Sequence, residues 1–174
     1  MKPIIPAVLF LTLPFLMSAQ EWKTYSTDST LFTAKYPDTW VNRTKENKRV
    51  FFTSPLDNDK DDFRENINIS VSFNPEFGTT TKITDLFPSV TDQLKSSIDE
   101  MTIEVQRNFK WNDTDAAELI YSGYYKDDNS VKIRITQWFC FYQQRLYVVT
   151  FTAAFDNALH NETAKKIMNS IKFK

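Results

Sequence analysis

Apolar and polar residues alternate along much of the chain, which is the pattern of half-buried β-strands. The alternation is clearest at residues 67–73 (INISVSF), and apolar runs at 30–36 and 49–54 predict two earlier strands. Four longer strands are predicted further on, at 102–111, 116–126, 131–142 and 146–155. Because only short polar segments separate these four, we expect hairpins and therefore an antiparallel meander.

Two segments have the period of an α-helix instead. Apolar residues recur every three or four positions between 83 and 101, which places them on one helix face. Pro88 is tolerated only in the first turn, so the regular helix is predicted to begin near it. A closing helix is predicted with Asp156 as N-cap and with inward-facing Leu159, Ala164, Ile167, Met168 and Ile171. The order of elements predicts an α+β fold, with two amphipathic helices on one antiparallel sheet.

The first nineteen residues differ from the rest of the chain. Lys2 precedes a nearly unbroken apolar run at 4–17, and the small residues Ser18 and Ala19 follow it. This run is shorter than the roughly 20 residues that span a bilayer, and Pro6 and Pro14 interrupt it. We therefore predict a signal peptide at 1–19 and a single domain at 20–174, so that the protein is exported and periplasmic or secreted.

Charge and composition exclude several functions. Loss of the leader leaves 20 of the 21 basic residues against 22 acidic ones, without a basic cluster, so we expect no nucleic-acid partner. Cys140 is the one cysteine, lies in an apolar strand and is expected to be a buried hydrophobe. His160, the one histidine, is expected to be a solvent-facing surface residue. One His, one Cys and two glycines offer no clustered metal site, no phosphate loop and no catalytic constellation. We expect a protein without enzymatic activity, cofactor or metal.

The acidic stretch from Asp57 to Asp62 raises the question of calcium. Asp57, Asp59 and Asp61 fall at the first, third and fifth places of an EF-hand loop. However, Asp62 stands where that loop needs Gly, Asn68 where it needs Glu, and a strand rather than a helix precedes it. The stretch is better explained as a hairpin loop whose aspartates are solvated and cap its backbone.

Aromatic residues are concentrated on the later strands, above all in the run WFCFY at 138–142. Neighbours on a strand point to opposite sides, so this run cannot all face one core. If helices cover both faces of the sheet, all of these side chains can be buried. Otherwise one face presents a partner surface, for which the candidates are Trp138, Tyr142, Tyr124 and Tyr147.

The order of several short motifs resembles the PsbP-like superfamily. The matching segments are YPDTW at 36–40, FFTSP at 51–55 and DFRENINISV at 62–71, followed by the strands at 116–121 and 151–153 and the closing helix. This superfamily includes the PsbP protein of photosystem II, DcrB-type exported proteins and a Ran-binding nuclear-import factor. The resemblance implies a PsbP-like α/β/α sandwich with about six antiparallel strands. It implies a binding or assembly role and no single activity.

Two functions follow as hypotheses. The first is an exported non-enzymatic module of the cell envelope that binds a protein partner or assists assembly. The second is a small-molecule or lipid-binding protein with an apolar pocket between sheet and helix. An exposed aromatic patch favours the first hypothesis, and an enclosed apolar cavity favours the second. The mature chain is expected to contain no membrane span.

Overall fold

In the computed structural model, residues 20–26, 31–45, 49–61 and 63–174 are described. The predicted signal peptide at 1–19 lies outside these residues. The described chain forms β1 (Trp22–Tyr25), β2 (Phe32–Pro37), β3 (Val41–Thr44), β4 (Val50–Thr53), β5 (Asn66–Phe73), a 3₁₀ turn (Ile83–Leu86), α1 (Phe87–Ser97), β6 (Ile98–Trp111), β7 (Thr114–Tyr125), β8 (Asp128–Tyr142), β9 (Arg145–Ala154), α2 (Asn161–Ser170) and β10 (Lys172–Phe173).

Seven strands form one antiparallel sheet in the order β3-β4-β5-β9-β8-β7-β6. The predicted meander is confirmed, since β6 to β9 pair in sequence order. Two of its hairpins turn on two-residue loops whose residues all have positive φ: Asn112 and Asp113, and Gln143 and Gln144. Such turns match the twist of the paired strands. The predicted sheet of about six strands has seven, and β1, β2 and β10 form a separate three-stranded sheet.

Each face of the large sheet carries its own apolar core. On one face, α2 and the small sheet pack on residues such as Phe52, Ile67 and Val149. On the other face, the 3₁₀ turn and α1 pack on residues such as Leu119 and Ile135. The strict alternation of strand side chains therefore fills both cores at once, and the α+β sandwich fold is confirmed.

Both helices differ from their predicted limits. The apolar period between 83 and 101 continues through Ile98, but α1 ends at Ser97 and Ile98 begins β6, where it pairs with Tyr125. Ile98 fits the apolar period of a helix and is also a buried residue of a strand. Periodicity alone therefore cannot show where the helix ends and the strand begins. The closing helix has His160 rather than Asp156 as N-cap. Leu159 precedes the helix and is 66% exposed, so the prediction that it faces inward is wrong.

Of the helices in the described ranges, none combines the length and the apolar content that a bilayer crossing takes.

Candidate functional site

A groove lies between α2 and the exposed part of the face formed by β6, β7 and β8. The groove exists because α2 covers the middle of the sheet and leaves its β6 side open. Its floor includes Ile120, Thr136 and Phe151, and one wall is formed by residues 155–158 and α2. Its volume is about 350 Å³ and it is open to solvent. We call this feature the groove.

A buried carboxylate organises the floor of the groove. Glu118 is 5% exposed and accepts two hydrogen bonds, from Arg107 Nε to Oε2 at 2.5 Å and from Trp138 Nε1 to Oε1 at 2.8 Å. Arg107 itself is largely exposed at the mouth of the groove. Arg134 pairs in the same way with Glu104 at 2.6 Å. The groove therefore has a floor that combines apolar side chains with a buried carboxylate, and the two arginines at its rim, Arg107 and Arg134, are both paired with carboxylates.

The four aromatic residues of the candidate partner surface do not form one exposed patch. Tyr147 is fully buried, and its hydroxyl donates to the Leu31 carbonyl at 3.0 Å. Burial raises the pKa of Tyr147 to about 12. Trp138 is buried, and its ring packs against Phe109 and Trp111. Its indole N–H donates a hydrogen bond to Glu118.

Tyr142 and Tyr124 are both half-buried. Of the two alternatives that the sequence left open, Trp138 and Tyr147 follow the buried one, because helix and sheet layers cover both faces. Cys140, between these aromatics, is also buried, and burial raises the pKa of its thiol to about 12. Its prediction as a buried hydrophobe is confirmed.

The acidic stretch forms the connection between β4 and β5. The Asp61 carboxylate accepts hydrogen bonds from the backbone N–H of Asp57 at 2.9 Å and of Phe63 at 3.1 Å. The side-chain oxygen of Asn58 accepts in the same way from Lys60 N–H. These contacts are the backbone caps that the sequence predicted for this loop. Asp62 lies outside the described residues.

A second cluster joins this loop to the start of α2. His160 Nε2 lies 2.8 Å from Asp57 Oδ1 and 4.0 Å from Glu65 Oε2. The amide nitrogen of Asn157 donates to Asp57 Oδ2 at 2.6 Å and to Glu65 Oε1 at 3.1 Å. We call Asp57, Glu65, Asn157 and His160 the carboxylate–histidine cluster.

This cluster is enclosed on several sides. Glu65 is 1% exposed, and Ser54 Oγ donates to its Oε2 at 3.1 Å. The ring of Trp40 stands edge-on to the imidazole, with ring centroids 5.7 Å apart and an interplanar angle of 89°. The prediction of His160 as a solvent-facing residue is wrong, since its side chain is 12% exposed. Sequence reasoning missed the cluster because its two segments are about a hundred residues apart.

The groove and the cluster share one segment. Asn157 contributes its amide to the cluster and also lines the groove, as does Asn161 at the start of α2. Two large exposed side chains lie on this segment, Phe155 (40%) and Leu159 (66%), and Leu56 (41%) lies beside Asp57 on the opposing loop. The same end of the molecule thus combines a groove, exposed apolar groups and a buried polar cluster.

Comparison with solved structures confirms the fold. The chain is similar to cyanobacterial PsbP (CyanoP) from Synechocystis sp. PCC 6803, with TM-score 0.62 and 13% identity over 94% of this chain and 99% of that one. It is similar to the Ran-binding protein Mog1p from Saccharomyces cerevisiae, with TM-score 0.61 and 7% identity over 89% of this chain and 96% of that one.

A third similar structure is LpqN from Mycobacterium tuberculosis, which is involved in cell envelope biogenesis. Its TM-score is 0.57 and its identity 11%, over 91% of this chain and 87% of that one. No protein-family profile and no curated protein matches the chain. The predicted PsbP-like resemblance is confirmed at the level of fold, and none of these three proteins is named for an enzymatic activity.

Proposed function

We propose that this protein is an exported, non-enzymatic module of the cell envelope that binds a protein partner. The observation that carries the proposal is the apolar surface of the segment that follows β9, where Phe155 lines the groove and Leu159 is also exposed. Leu56 is exposed on the loop that this segment contacts through Asn157 and Asp57. Exposed large apolar side chains grouped beside a groove are characteristic of interaction sites. The leader-like residues 1–19 support export. The similar structure of the Ran-binding protein Mog1p supports a binding role on this fold, and that of LpqN, which is involved in cell envelope biogenesis, supports a role in the envelope.

The groove suits a protein segment better than an enclosed metabolite. It is open along one side, and its rim carries both signs of charge, Arg107 and Lys165 against Asp156 and Glu162. An apolar centre with a polar rim is the usual organisation of a protein–protein interface. Phe155 and Leu159 would be the anchors, while Tyr124 and Tyr142 remain candidates for a wider contact area.

The test is affinity purification of the tagged protein from the envelope and medium of its own organism, with quantification by mass spectrometry. Phe155→Ala combined with Leu159→Ala is expected to lower recovery of a stoichiometric partner by about 10-fold or more, as loss of interface anchors does. Phe73→Ala is the matched control, because Phe73 is 63% exposed at the opposite end of β9, beside Arg145. A partner retained equally by all three proteins, or no partner at all, contradicts the proposal.

A small-molecule or lipid ligand is the second candidate, favoured by the volume of the groove. About 350 Å³ is within the range of ligand pockets. Its floor of Ile120 and Phe151 would hold an apolar group, and Lys165 on the rim would face an anionic one. Native mass spectrometry of the purified protein distinguishes the two functions. A bound molecule that is lost in a Phe151→Ser variant supports the ligand-binding function. A protein without bound ligand, whose protein partner is lost in the Phe155→Ala and Leu159→Ala double variant, supports the partner-binding function.

A further inference from the structure

The carboxylate–histidine cluster has the composition of a metal site. Asp57, Glu65 and His160 each offer one ligand atom, and these atoms all lie within 4.8 Å of one another. We propose that these three residues bind a divalent transition-metal ion of the Zn²⁺ or Mn²⁺ class. The proposal is independent of the proposed function, because the ligands lie in the cluster and not on the apolar surface.

The spacing of the ligand atoms fits such an ion. Zinc bonds to His nitrogen and carboxylate oxygen are about 2.0–2.2 Å long, so tetrahedral ligand atoms lie about 3.4 Å apart. The two observed separations from Nε2, 2.8 Å to Asp57 and 4.0 Å to Glu65, bracket that value. Binding would place the imidazole proton on Nδ1 and leave the Nε2 lone pair for the metal. Because the ligand atoms lie up to 4.8 Å apart, the two carboxylates must also approach each other by about 1 Å to complete three ligands and leave a position for water.

The charge of the cluster also favours a cation. Asp57 and Glu65 are two carboxylates, and Glu65 is almost completely buried. In the part of the chain that the structure describes, His160 is the one basic side chain within 4.0 Å of either of them. The other donors to Glu65, Ser54 and Asn157, are neutral. A divalent ion would balance the charges of two carboxylates in this largely buried site.

Neighbouring groups already hold the ligands in position. Asn157 Oδ1 accepts from the backbone N–H of Leu159 at 2.9 Å, which directs the Asn157 amide nitrogen to both carboxylates. Ser54 orients Glu65, and Trp40 packs on the edge of the imidazole. Hydrogen bonds of this kind, which orient the ligands, accompany metal sites in proteins. A nitrogen ligand together with only two carboxylates favours a transition metal over calcium, which takes six to eight oxygens.

The test uses the whole protein, carrying a histidine-free tag and stripped of metal by a chelator, titrated with zinc sulfate, manganese chloride and calcium chloride. We expect 1:1 binding of Zn²⁺ or Mn²⁺ in calorimetry. At a hundredfold excess over Kd the melting temperature should rise by about 5–10 °C. His160→Gln keeps a hydrogen-bond donor for Asp57 but removes the nitrogen ligand, so affinity should fall at least about 10-fold. Asp59→Asn is the control, because Asp59 lies in the same loop but outside the cluster. The metal affinity of this variant should stay within about 2-fold of the unmodified protein.

A second measurement does not depend on any variant. Because the chain has a single histidine, its imidazole resonances belong to His160 without ambiguity. They should shift on saturation with Zn²⁺ in the unmodified protein. The proposal is overturned if those resonances do not move, if only Ca²⁺ binds, or if His160→Gln and Asp59→Asn weaken binding equally.

Discussion

Two acidic connections of the large sheet look alike in sequence and differ in structure. The β4–β5 loop contains Asp57, Asp59 and Asp61, and the β7–β8 connection contains Asp127 next to Asp128. Asp128 is fully exposed and accepts from the backbone N–H and the hydroxyl of Ser130, two residues away. Asp57 instead contacts residues 100 and 103 positions further along the chain. A run of aspartates thus says little about its role until its spatial neighbours are known.

The difference has a physical cause. A carboxylate in water is solvated, so the Asp128 turn needs only local hydrogen bonds. A buried carboxylate such as Glu65 loses that solvation and must be compensated by donors or by a cation. We therefore expect substitutions in the cluster to change the free energy of unfolding far more than equivalent substitutions in the exposed turn. The three predictions below concern the metal-free protein.

The largest effect is expected for His160→Ala, which removes the basic side chain nearest to Asp57 and Glu65. Removal of the ring that hydrogen-bonds to Asp57 leaves a largely buried carboxylate without this partner, so the free energy of unfolding in urea should fall by about 3 kcal/mol. Leu159→Ala is the control at the adjacent position. Its free energy of unfolding should stay within about 0.5 kcal/mol of wild type, since Leu159 is exposed. Equal effects of the two substitutions would show that the cluster contributes nothing to stability.

A smaller loss is expected for Asn157→Ala. This variant removes one amide that donates to both carboxylates, which should reduce the free energy of unfolding by about 2 kcal/mol. Asn129→Ala makes the same change at an exposed position beside Asp128 and should be nearly neutral. Chemical denaturation of both variants at neutral pH checks this contrast, and it fails if Asn129→Ala costs as much as Asn157→Ala.

The smallest effect is expected for Asp128→Ala, and it should depend on pH. Hydrogen bonds from Ser130 hold the pKa of Asp128 below its ordinary value of 3.8. A carboxyl whose pKa is lowered on folding stabilises the protein above its unfolded pKa, and this contribution is lost as the pH falls through the folded pKa. Wild type and variant should therefore differ slightly in melting temperature at pH 7 and converge below about pH 3.8. A difference that grows on acidification would contradict this assignment.

Alternation of apolar and polar residues was sufficient to predict the large sheet. Ile67 and Ile69 face one core, and Leu119 and Ile135 face the other, because a strand of period two must divide its side chains between two faces. The same argument left Trp138 and Tyr147 open, since burial depends on whether a second layer covers each face. Ile98 was misassigned for a related reason: it continues a helical period and yet begins a strand.

Local periodicity and contacts a few residues apart are sufficient to predict the α+β class, the antiparallel meander and the backbone-capping role of Asp61. The groove that α2 leaves beside β6, and the contact of His160 with Asp57 and Glu65, become visible only in three dimensions. Those features depend on packing between layers and on contacts across about a hundred residues. A single sequence carries no signal for the distance between such residues, and the buried charge of the cluster becomes apparent only when they are brought together.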